Sequence, residues 1–284
     1  MTPAPISVVV NTLDAARVLA FALRSVASWA AEIVVVDMDS ADDTIAIARA
    51  HGARVLTHPR AGCVEAARAF AVAAAREPWV LVLDADELVP LGLSRRLRAI
   101  AAADAADAVR IPRLNHLLGA PLPHTGWGPE RDRQLRFFKP AAVAIPTRIH
   151  GPIAPRPGAR VVELDVVPGE MLVHFNYTDV DDFVARLARY TTVEADQAHA
   201  RGESGGAGRG LAAAAREWAT RYLWHGGWRD GWRGTHLALL MAVYRVVVQA
   251  KLASRRRLGS GEDVRRAYDR DAERVLAAYR DDSP

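Results

Sequence analysis

Three acidic residues, Asp84, Asp86 and Glu87, come directly after an apolar run that begins at Trp79. The run is rich in Val and Leu and predicts a strand buried on both faces, whose carboxyl end opens into a ligand-binding crevice. Asp84 and Asp86 are two residues apart, so they lie on one side of an extended chain. Carboxylates suit a hard cation, and Mg²⁺ needs only one or two of them when substrate phosphates supply other ligands. The spacing indicates metal-assisted chemistry on a diphosphate; the alternative is an Asp that only caps the next helix.

Polar side chains also follow two earlier apolar runs, at residues 6–10 and 33–36. They are Asn11, Thr12 and Asp14 after the first run and Asp37 after the second. The carboxyl ends of parallel strands meet at one edge of a sheet, so we expect these side chains to converge with the acids. Residues 11–16 contain no Gly and no Lys, which argues against a sugar-phosphate nucleotidyltransferase that must hold a triphosphate in a glycine-rich basic loop.

The elements that must position these residues alternate in type. Apolar runs predict strands at 6–10, 33–36, 53–57 and 79–84, separated by helical patterns at 15–29, 40–51 and 64–76. Ser40 is the predicted N-cap of the second helix. This order predicts an α/β fold with a mostly parallel sheet and flanking helices.

The pattern changes after residue 97. Further strands are predicted at 108–112, 134–138 and 171–175, and everything from 180 onward is helical apart from a flexible joint at 202–210. We therefore expect an α/β catalytic domain over residues 1–178 and a C-terminal helical extension over residues 179–284.

Composition narrows the class of protein. Half of the 284 residues are hydrophobic and a quarter are charged, which excludes a disordered chain. The single cysteine, Cys63, excludes an internal disulfide, favours a reducing compartment and suits a small packing residue better than a reactive thiol. Residues 1–5 lack the basic and apolar regions of a signal peptide, so we expect a cytoplasmic protein.

Positive charge concentrates in the last third of a chain whose net charge is +4. The cations are Arg216, Arg221, Arg229, Arg233, Arg245, Lys251, Arg255, Arg256 and Arg257, and they interleave with Trp218, Trp224, Trp228 and Trp232. This mixture is more typical of an anionic membrane surface than of a nucleic-acid reader, although a solvated charged face is the plain alternative. The apolar helix at 235–254 is interrupted by Arg245, Gln249 and Lys251, which favours a buried or interfacial segment over a spanning one.

Several stretches together resemble a known family, the inverting family-2 glycosyltransferases of the GT-A fold. They are SVVVNTLDAARVLAFALRSV, EIVVVDMDSADDT, GCVEAARAFAVAAAREPWVLVLDADE, HTGWGPERDRQLRFFKP, RIH, LVHFNY and ARLARYTTVEA. The resemblance spans most of residues 6–195 and is nearest to the branch that includes lipopolysaccharide-core β-glucosyltransferases. It implies transfer of a sugar from a nucleotide-diphosphate sugar, such as a UDP-sugar, to a glycan or lipid-linked acceptor in cell-envelope polysaccharide synthesis.

The resemblance also implies roles in donor binding. Asn11, Thr12 and Asp14 would line the nucleotide pocket, and Asp37 would accept a hydrogen bond from the base. Glu65 and Arg68 would lie near the donor, where an arginine offsets diphosphate charge.

The metal implied by the resemblance is Mg or Mn. Asp84 would face the ribose or this metal, and Asp86 would bind it. His150 or His174 would complete the metal shell, with His150 the first candidate; for each, a satisfied core histidine is the alternative.

The base and the acceptor side are the remaining parts. Asp132 is the first candidate for the base that deprotonates the acceptor hydroxyl and Glu87 the second, although Asp132 beside Arg131 and Arg133 also suits a loop salt bridge. Trp127 would stack on a sugar or anchor its loop. Arg133 and Gln134 are the other acceptor-side candidates.

Three departures from the family pattern stand out. The chain has Asp14-Ala15 where relatives commonly have Asn-Glu, Arg68-Ala69-Phe70 where they often have Arg-Asn-Phe, and no acid after His150. These differences keep a second hypothesis open: a degenerate transferase that acts as a non-catalytic, membrane-associated binding or assembly protein.

Overall fold

The computed structural model describes residues 3–60, 64–145 and 153–281. The chain divides into two compact units, Met1–Thr178 and Asp179–Pro284. The first unit is built on strands and the second on helices.

The described part of the first unit contains these elements in chain order. The strands are β1 (Ala4–Thr12), β2 (Ala30–Asp37), β3 (Arg54–Thr57), β4 (Trp79–Asp84), β5 (Glu87–Leu88), β6 (Ala108–Leu117), β7 (Ala120–Pro121), β8 (Arg133–Phe138), β9 (Val143–Ala144), β10 (Ala154–Pro155), β11 (Val161–Glu163) and β12 (Leu172–Tyr177). The helices are α1 (Ala16–Val26), α2 (Thr44–Ala50), α3 (Val64–Ala73) and α4 (Leu91–Ala103).

The main sheet has the strand order β3-β2-β1-β4-β8-β6-β12-β5, and β7 and β11 both pair with β6. β3, β2, β1 and β4 are parallel to one another, whereas β8 runs antiparallel between β4 and β6. β9 and β10 form a separate two-stranded sheet. The predicted α/β architecture with flanking helices and a C-terminal helical extension is confirmed.

The central strands are buried on both faces because their side chains alternate between two cores. Val8 and Val10 of β1 lie in one core with Leu19 and Leu23 of α1. Val9 lies in the other core, together with residues of α3. An uninterrupted apolar strand is what this double coverage requires, since every residue meets a helix layer on one side or the other.

Two local expectations fail. Ser40 does not cap α2, whose N-cap is Asp43; the Ser40 hydroxyl instead donates to the Asp37 carboxylate at 2.6 Å, a stronger charge-assisted bond. The predicted flexible joint at 202–210 is shorter than expected, because α6 already begins at Ala207.

The second unit consists of α5 (Val180–Ala200), α6 (Ala207–Ala219), α7 (Gly231–Leu258) and α8 (Gly261–Asp281). A π-helical turn at Thr220–Trp224 and a 3₁₀ turn at Gly227–Asp230 connect α6 to α7. Tyr244 of α7 donates to Glu194 of α5 at 2.7 Å, and Arg245 of α7 donates to Glu217 of α6 at 3.0 Å. Within the described residues, one helical stretch, Gly227–Leu258, is long and apolar enough by composition to cross a membrane, with a mean hydropathy of 1.5.

Candidate active site

The carboxyl ends of β1, β2 and β4 meet side by side. Asn11 of β1 lies in register with Asp84 of β4, and Thr12 lies in register with Asp37 of β2. Asn11 is only 7% exposed, and neither its side-chain oxygen nor its side-chain nitrogen has a hydrogen-bond partner among the described residues. A buried amide left unsatisfied costs free energy, so Asn11 is suited to meet a polar ligand at this edge.

Asp37 ties together the loops that follow β1 and β2. Its carboxylate accepts hydrogen bonds from the Thr12 hydroxyl at 3.1 Å and from the backbone N–H of Ser40 at 2.9 Å. Asp14, which has a φ of 50°, accepts from the backbone N–H of Ala41 at 2.8 Å and donates its own N–H to Ser40. The first loop is therefore fixed on its neighbour even though it contains no glycine.

Asp84 is paired with two arginines. The Arg68 guanidinium donates to its Oδ1 at 3.2 Å, and Arg136 donates to both of its carboxylate oxygens. Burial by itself raises the pKa of Asp84, but the positive charges of Arg136 and Arg68 outweigh burial and hold that pKa well below its usual range. Asp84 is therefore an anion throughout the neutral range, with its charge already neutralised by the protein.

Glu87 belongs to the same network of arginines and carboxylates. Its side chain is fully buried, and its Oε1 accepts from Arg113 at 3.0 Å and from Arg136 at 3.4 Å. Its Oε2 accepts from the backbone N–H of Asp84 at 3.1 Å, so Glu87 also fixes the turn that carries the acids. This burial leaves Glu87 with no open surface toward an acceptor.

Asp132 lies at the other end of the network. Its Oδ2 accepts from Arg113 at 2.8 Å and from Asn115 at 2.7 Å, and its Oδ1 accepts from Gln134 at 2.5 Å. Asp132 thus pairs across the sheet with Arg113 rather than with the adjacent Arg131 or Arg133. Burial lowers the pKa of Arg113, but Glu87 and Asp132 hold it above its usual value, so this arginine stays charged.

Asp86 stands apart from these arginine pairs. Its Oδ2 lies 3.6 Å from the Nε2 of His174. The other ring nitrogen of His174 is hydrogen-bonded to the Asn115 side-chain oxygen at 2.6 Å, which orients the ring. A carboxylate and an imidazole held in this way fit a divalent cation that takes its remaining ligands from a diphosphate and water.

No group of three or more His, Cys, Asp or Glu side chains in the described residues lies close enough together to hold a metal by itself. Asp84, predicted as a metal ligand, is engaged by arginines. His150, together with Cys63 and the side chain of Glu65, lies outside the described part of the chain.

The acceptor-side candidates do not share one surface. Gln134 and Asp132 are two residues apart and face the network, whereas Arg133, between them, donates to Glu130 at 3.3 Å and to the Leu164 carbonyl oxygen. The ring of Trp127 stacks on Tyr177 with centroids 6.0 Å apart, and the Trp127 carbonyl oxygen accepts from Asn115 at 2.8 Å. These residues keep their proposed roles as predictions.

An open cavity of about 560 Å³ lies beside Asp86. Side chains from α1, from β6 and from the end of β12 line much of it, and they are Arg17, Phe21, His116, Phe175 and Tyr177. Its volume lies in the range usual for small-molecule sites, and its walls are mostly apolar, with the aromatic rings of Phe21, Phe175 and Tyr177 among them. Asp86 therefore stands between the arginine network and an apolar cavity.

Sequence reasoning missed Arg113 and Arg136 as site residues. The period of two along a strand offered a signal for Arg136, because Asp132, Gln134 and Arg136 must point the same way and Arg133 the other. Arg113 carries no such local signal, because its partners Glu87 and Asp132 come from distant positions in the sequence.

The chain is similar in sequence to known glycosyltransferases. Residues 7–148 match the family described as Glycosyl transferase family 2. The chain is 26% identical over 245 residues to the lipopolysaccharide core biosynthesis glycosyltransferase LpsC of Rhizobium meliloti, an alignment that covers 82% of this chain and 87% of that protein. An uncharacterized glycosyltransferase of Rickettsia felis is 36% identical over 102 residues, which is 36% of each chain.

Solved structures with partial similarity include TarS of S. aureus, with a TM-score of 0.45 and 18% identity, covering 67% of this chain and 39% of that one. Another is glucosyl-3-phosphoglycerate synthase from Mycobacterium tuberculosis in complex with Mn²⁺, UDP and glucosyl-3-phosphoglycerate. It has a TM-score of 0.34 and 24% identity, and the alignment covers 40% of this chain and 44% of that one. The chain thus spans less than half the length of either structure.

Replacing Arg136 by Met tests whether the network holds the sheet edge together. The change leaves Asp84 and the buried Glu87 without their shared cation, and we expect the free energy of unfolding to fall by about 3–5 kcal/mol. Glu130→Gln, which removes the charge of an exposed acid paired with Arg133, should cost about 1 kcal/mol or less. Urea denaturation at pH 7 measures both changes, and equal losses would mean that the buried pairs contribute no more than a surface salt bridge.

Proposed function

Because the chain belongs to glycosyl transferase family 2, we propose that it transfers a sugar from a nucleoside diphosphate sugar to a hydroxyl of a glycan or lipid-linked acceptor in cell-envelope polysaccharide synthesis. The reaction proposed is metal-dependent and inverts the anomeric centre. One observation carries the proposal: Asn11, Asp37 and Asp84 meet at the ends of three adjacent parallel strands, beside two arginines. The similarity to LpsC, a lipopolysaccharide core biosynthesis glycosyltransferase, supports lipopolysaccharide core synthesis as the setting.

The donor is proposed to be a UDP-sugar. Asn11, Thr12, Asp14 and Asp37 would surround the nucleoside, and the unsatisfied amide of Asn11 supports this placement. The Nε–H groups of Arg68 and Arg136 are buried and have no partner among the described residues, so each arginine keeps a donor for a diphosphate oxygen. Glu65 is retained as a donor-side candidate.

A bound Mg or Mn ion would neutralise the negative charge that develops on the departing nucleoside diphosphate. Asp86 and His174 are proposed to hold it, with His150 as the alternative imidazole. Asn115 supports this assignment because its bond to the second ring nitrogen of His174 leaves Nε2 facing Asp86. Asp84 is proposed to serve the ribose, since its pairs with arginine already balance its charge.

The acceptor is proposed to enter the cavity beside Asp86, where Phe21, Phe175 and Tyr177 offer apolar faces for a sugar ring and Arg17 offers a positive charge. In the transfer step, the acceptor oxygen bonds to the anomeric carbon while the bond from that carbon to the diphosphate oxygen breaks. The bonding electrons leave with the diphosphate, and the proton of the hydroxyl passes to a base.

Asp132 remains the first candidate for that base and Glu87 the second. Glu87 is fully buried and bonded to two arginines and a backbone N–H, which favours a positioning role. The Asp132 side chain is 12% exposed, so it is more accessible than the Glu87 side chain.

The degenerate, non-catalytic alternative rests on Ala15 and Ala69. Ala15 is buried in the core that α1 shares with β1, so a small residue there fits the packing without touching the acids. The intact Asp84, Asp86 and Glu87 favour the enzyme. A cytoplasmic location, with the protein peripheral on the inner face of the membrane, is part of the proposal.

Asp86→Asn tests the donor and metal site. Thermal melting with UDP-glucose, UDP-N-acetylglucosamine, GDP-mannose or dTDP-glucose should show a rise in Tm that requires Mn²⁺, because a ligand that binds only the folded state stabilises it. Asp86→Asn should abolish the rise, while Asp165→Asn, a matched change at an exposed acid of the same unit, should keep it. Unchanged Tm for the parent with every donor would contradict the proposed function.

Asp132→Asn tests the base. With a donor and acceptor in hand, we expect kcat to fall by about 10²–10⁴-fold while the Mn²⁺-dependent Tm shift with donor is kept, since donor binding does not use the proton acceptor. Glu130→Gln, at a neighbouring exposed acid, should leave kcat unchanged. A parental kcat in Asp132→Asn would remove Asp132 from the chemistry.

A further inference from the structure

α7 has two apolar faces, and only one of them is covered. Its buried residues are Gly234, Leu237, Ala238, Val248 and Leu252. The other face exposes Trp232, Leu239, Val243 and Val246, which follow each other at intervals of seven, four and three residues. With 3.6 residues per turn, this spacing places the four side chains in one narrow stripe along the helix.

The stripe is long, and His236 is the polar side chain on it. His236 and Ala250 fall on the same line and are also exposed, so no Asp, Glu, Lys or Arg interrupts it between Trp232 and Ala250. At 1.5 Å per residue, this segment is about 27 Å long. Leu239 and Val243 are each about half exposed, at 49% and 50%. An exposed and mostly apolar surface of this length marks an interaction site.

Tryptophans and arginines frame the stripe. Trp224 and Trp228 come just before α7 and are 80% and 57% exposed. Arg229 lies at the amino end, and Arg256 and Arg257 at the carboxyl end; among the described residues, no acid lies within salt-bridge distance of these three arginines. Tryptophan rings and arginines at the edge of an apolar face are typical of helices that lie in a membrane interface.

Two cations in the middle of α7, Arg245 and Lys251, do not belong to this surface, whereas the Arg233 guanidinium lies over the Trp232 ring at 4.6 Å from its centroid, at the amino end of the stripe. Arg245 pairs with Glu194 at 3.3 Å and with Glu217 at 3.0 Å, and Lys251 donates to the hydroxyls of Thr191 and Thr192. Arg221 and Arg255 are likewise paired, with Glu217 and Asp196. Part of the positive charge that the sequence assigned to lipid contact is therefore used within the second unit.

We propose that the stripe from Trp232 to Ala250, with Trp224 and Trp228, binds the phospholipid bilayer by lying in the headgroup region parallel to the membrane plane. This inference extends the peripheral location proposed above and does not depend on sugar transfer. Binding comes mainly from insertion of the apolar stripe, and the flanking arginines add attraction to anionic headgroups.

The charges favour a bilayer over the two other occupants. A second copy packed along the stripe would bring arginines of one copy against arginines of the other in both the parallel and the antiparallel arrangement, because both ends are basic. A spanning helix would place Arg245 and Lys251 in hydrocarbon and separate them from their partners on α5 and α6, which is costly. An interfacial position keeps those contacts and covers the stripe.

Vesicle flotation of the full-length chain tests the proposal. The vesicles are phosphatidylcholine, with and without about a quarter phosphatidylglycerol. Val243→Glu places a charge on the exposed stripe, and Val184→Glu is the matched control, since Val184 is 47% exposed on α5 of the same unit. We expect the partition coefficient between vesicles and buffer to be about tenfold lower for Val243→Glu than for the parent. Val184→Glu should keep the parental value. Equal melting temperatures establish that both variants are folded.

Two further readouts separate insertion from simple charge attraction. High salt should leave most of the phosphatidylglycerol-vesicle binding intact, and brominated lipids should quench the tryptophan fluorescence of the parent but not of Val243→Glu. Absence of vesicle binding by the parent, or equal binding by both variants, overturns the proposal. A parental dimer that Val243→Glu dissociates, without vesicle binding, would assign the stripe to a second copy instead. Donor binding is measured separately, so a failure here leaves the proposed sugar transfer untouched.

Discussion

A guanidinium buried beneath the carboxyl edge of the sheet must be neutralised, and Arg136 meets this requirement with Asp84 and Glu87. Burying an unpaired arginine costs far more free energy than a protein of this size can spare. β8 runs antiparallel beside β4, and this pairing brings Arg136 next to Asp84 at the end of β4. Arg113 on β6 then links Glu87 to Asp132, and Arg68 on α3 reaches Asp84. The result is a network of three carboxylates and three guanidiniums that joins the parallel half of the sheet to its mixed half.

The pairing of carboxylates with arginines separates the three acids after β4 into two that are paired, Asp84 and Glu87, and one that is not, Asp86. Asp84 and Glu87 are held by arginines and fix the turn after β4, whereas no arginine or lysine in the described part of the chain lies within salt-bridge distance of Asp86, which faces His174. A carboxylate that is already paired is a poor metal ligand, so the second Asp of the motif is better suited to a cation than the first. The same arrangement leaves the buried Nε–H groups of Arg68 and Arg136 without a hydrogen-bond partner among the described residues.

Local sequence predicts much of this fold, because each parallel strand is centred on a short apolar run and ends in a polar residue. It also places Asn11, Asp37 and Asp84 at one edge, since the ends of parallel strands coincide. The arginine network is not predictable in this way. Arg113 and Arg136 pair with acids on other strands and loops, and the spacing of residues within one segment does not indicate such pairs. Local sequence also mispredicts Ser40, because its hydroxyl donates to the buried Asp37 carboxylate and does not cap the start of α2. Charge counted along the last third of the chain overstated the free basic surface for the same reason, because Arg221, Arg245 and Arg255 are paired.

Pulsed electron paramagnetic resonance of Mn²⁺ bound with UDP tests most directly whether this edge of the sheet is a metal-assisted nucleotide site. If Asp86 and His174 hold the metal and the diphosphate completes its shell, the spectrum should contain phosphorus couplings from UDP and nitrogen couplings from an imidazole. The nitrogen couplings should be lost in His174→Ala. A spectrum identical to that of Mn²⁺ and UDP in buffer would contradict the assignment of this site.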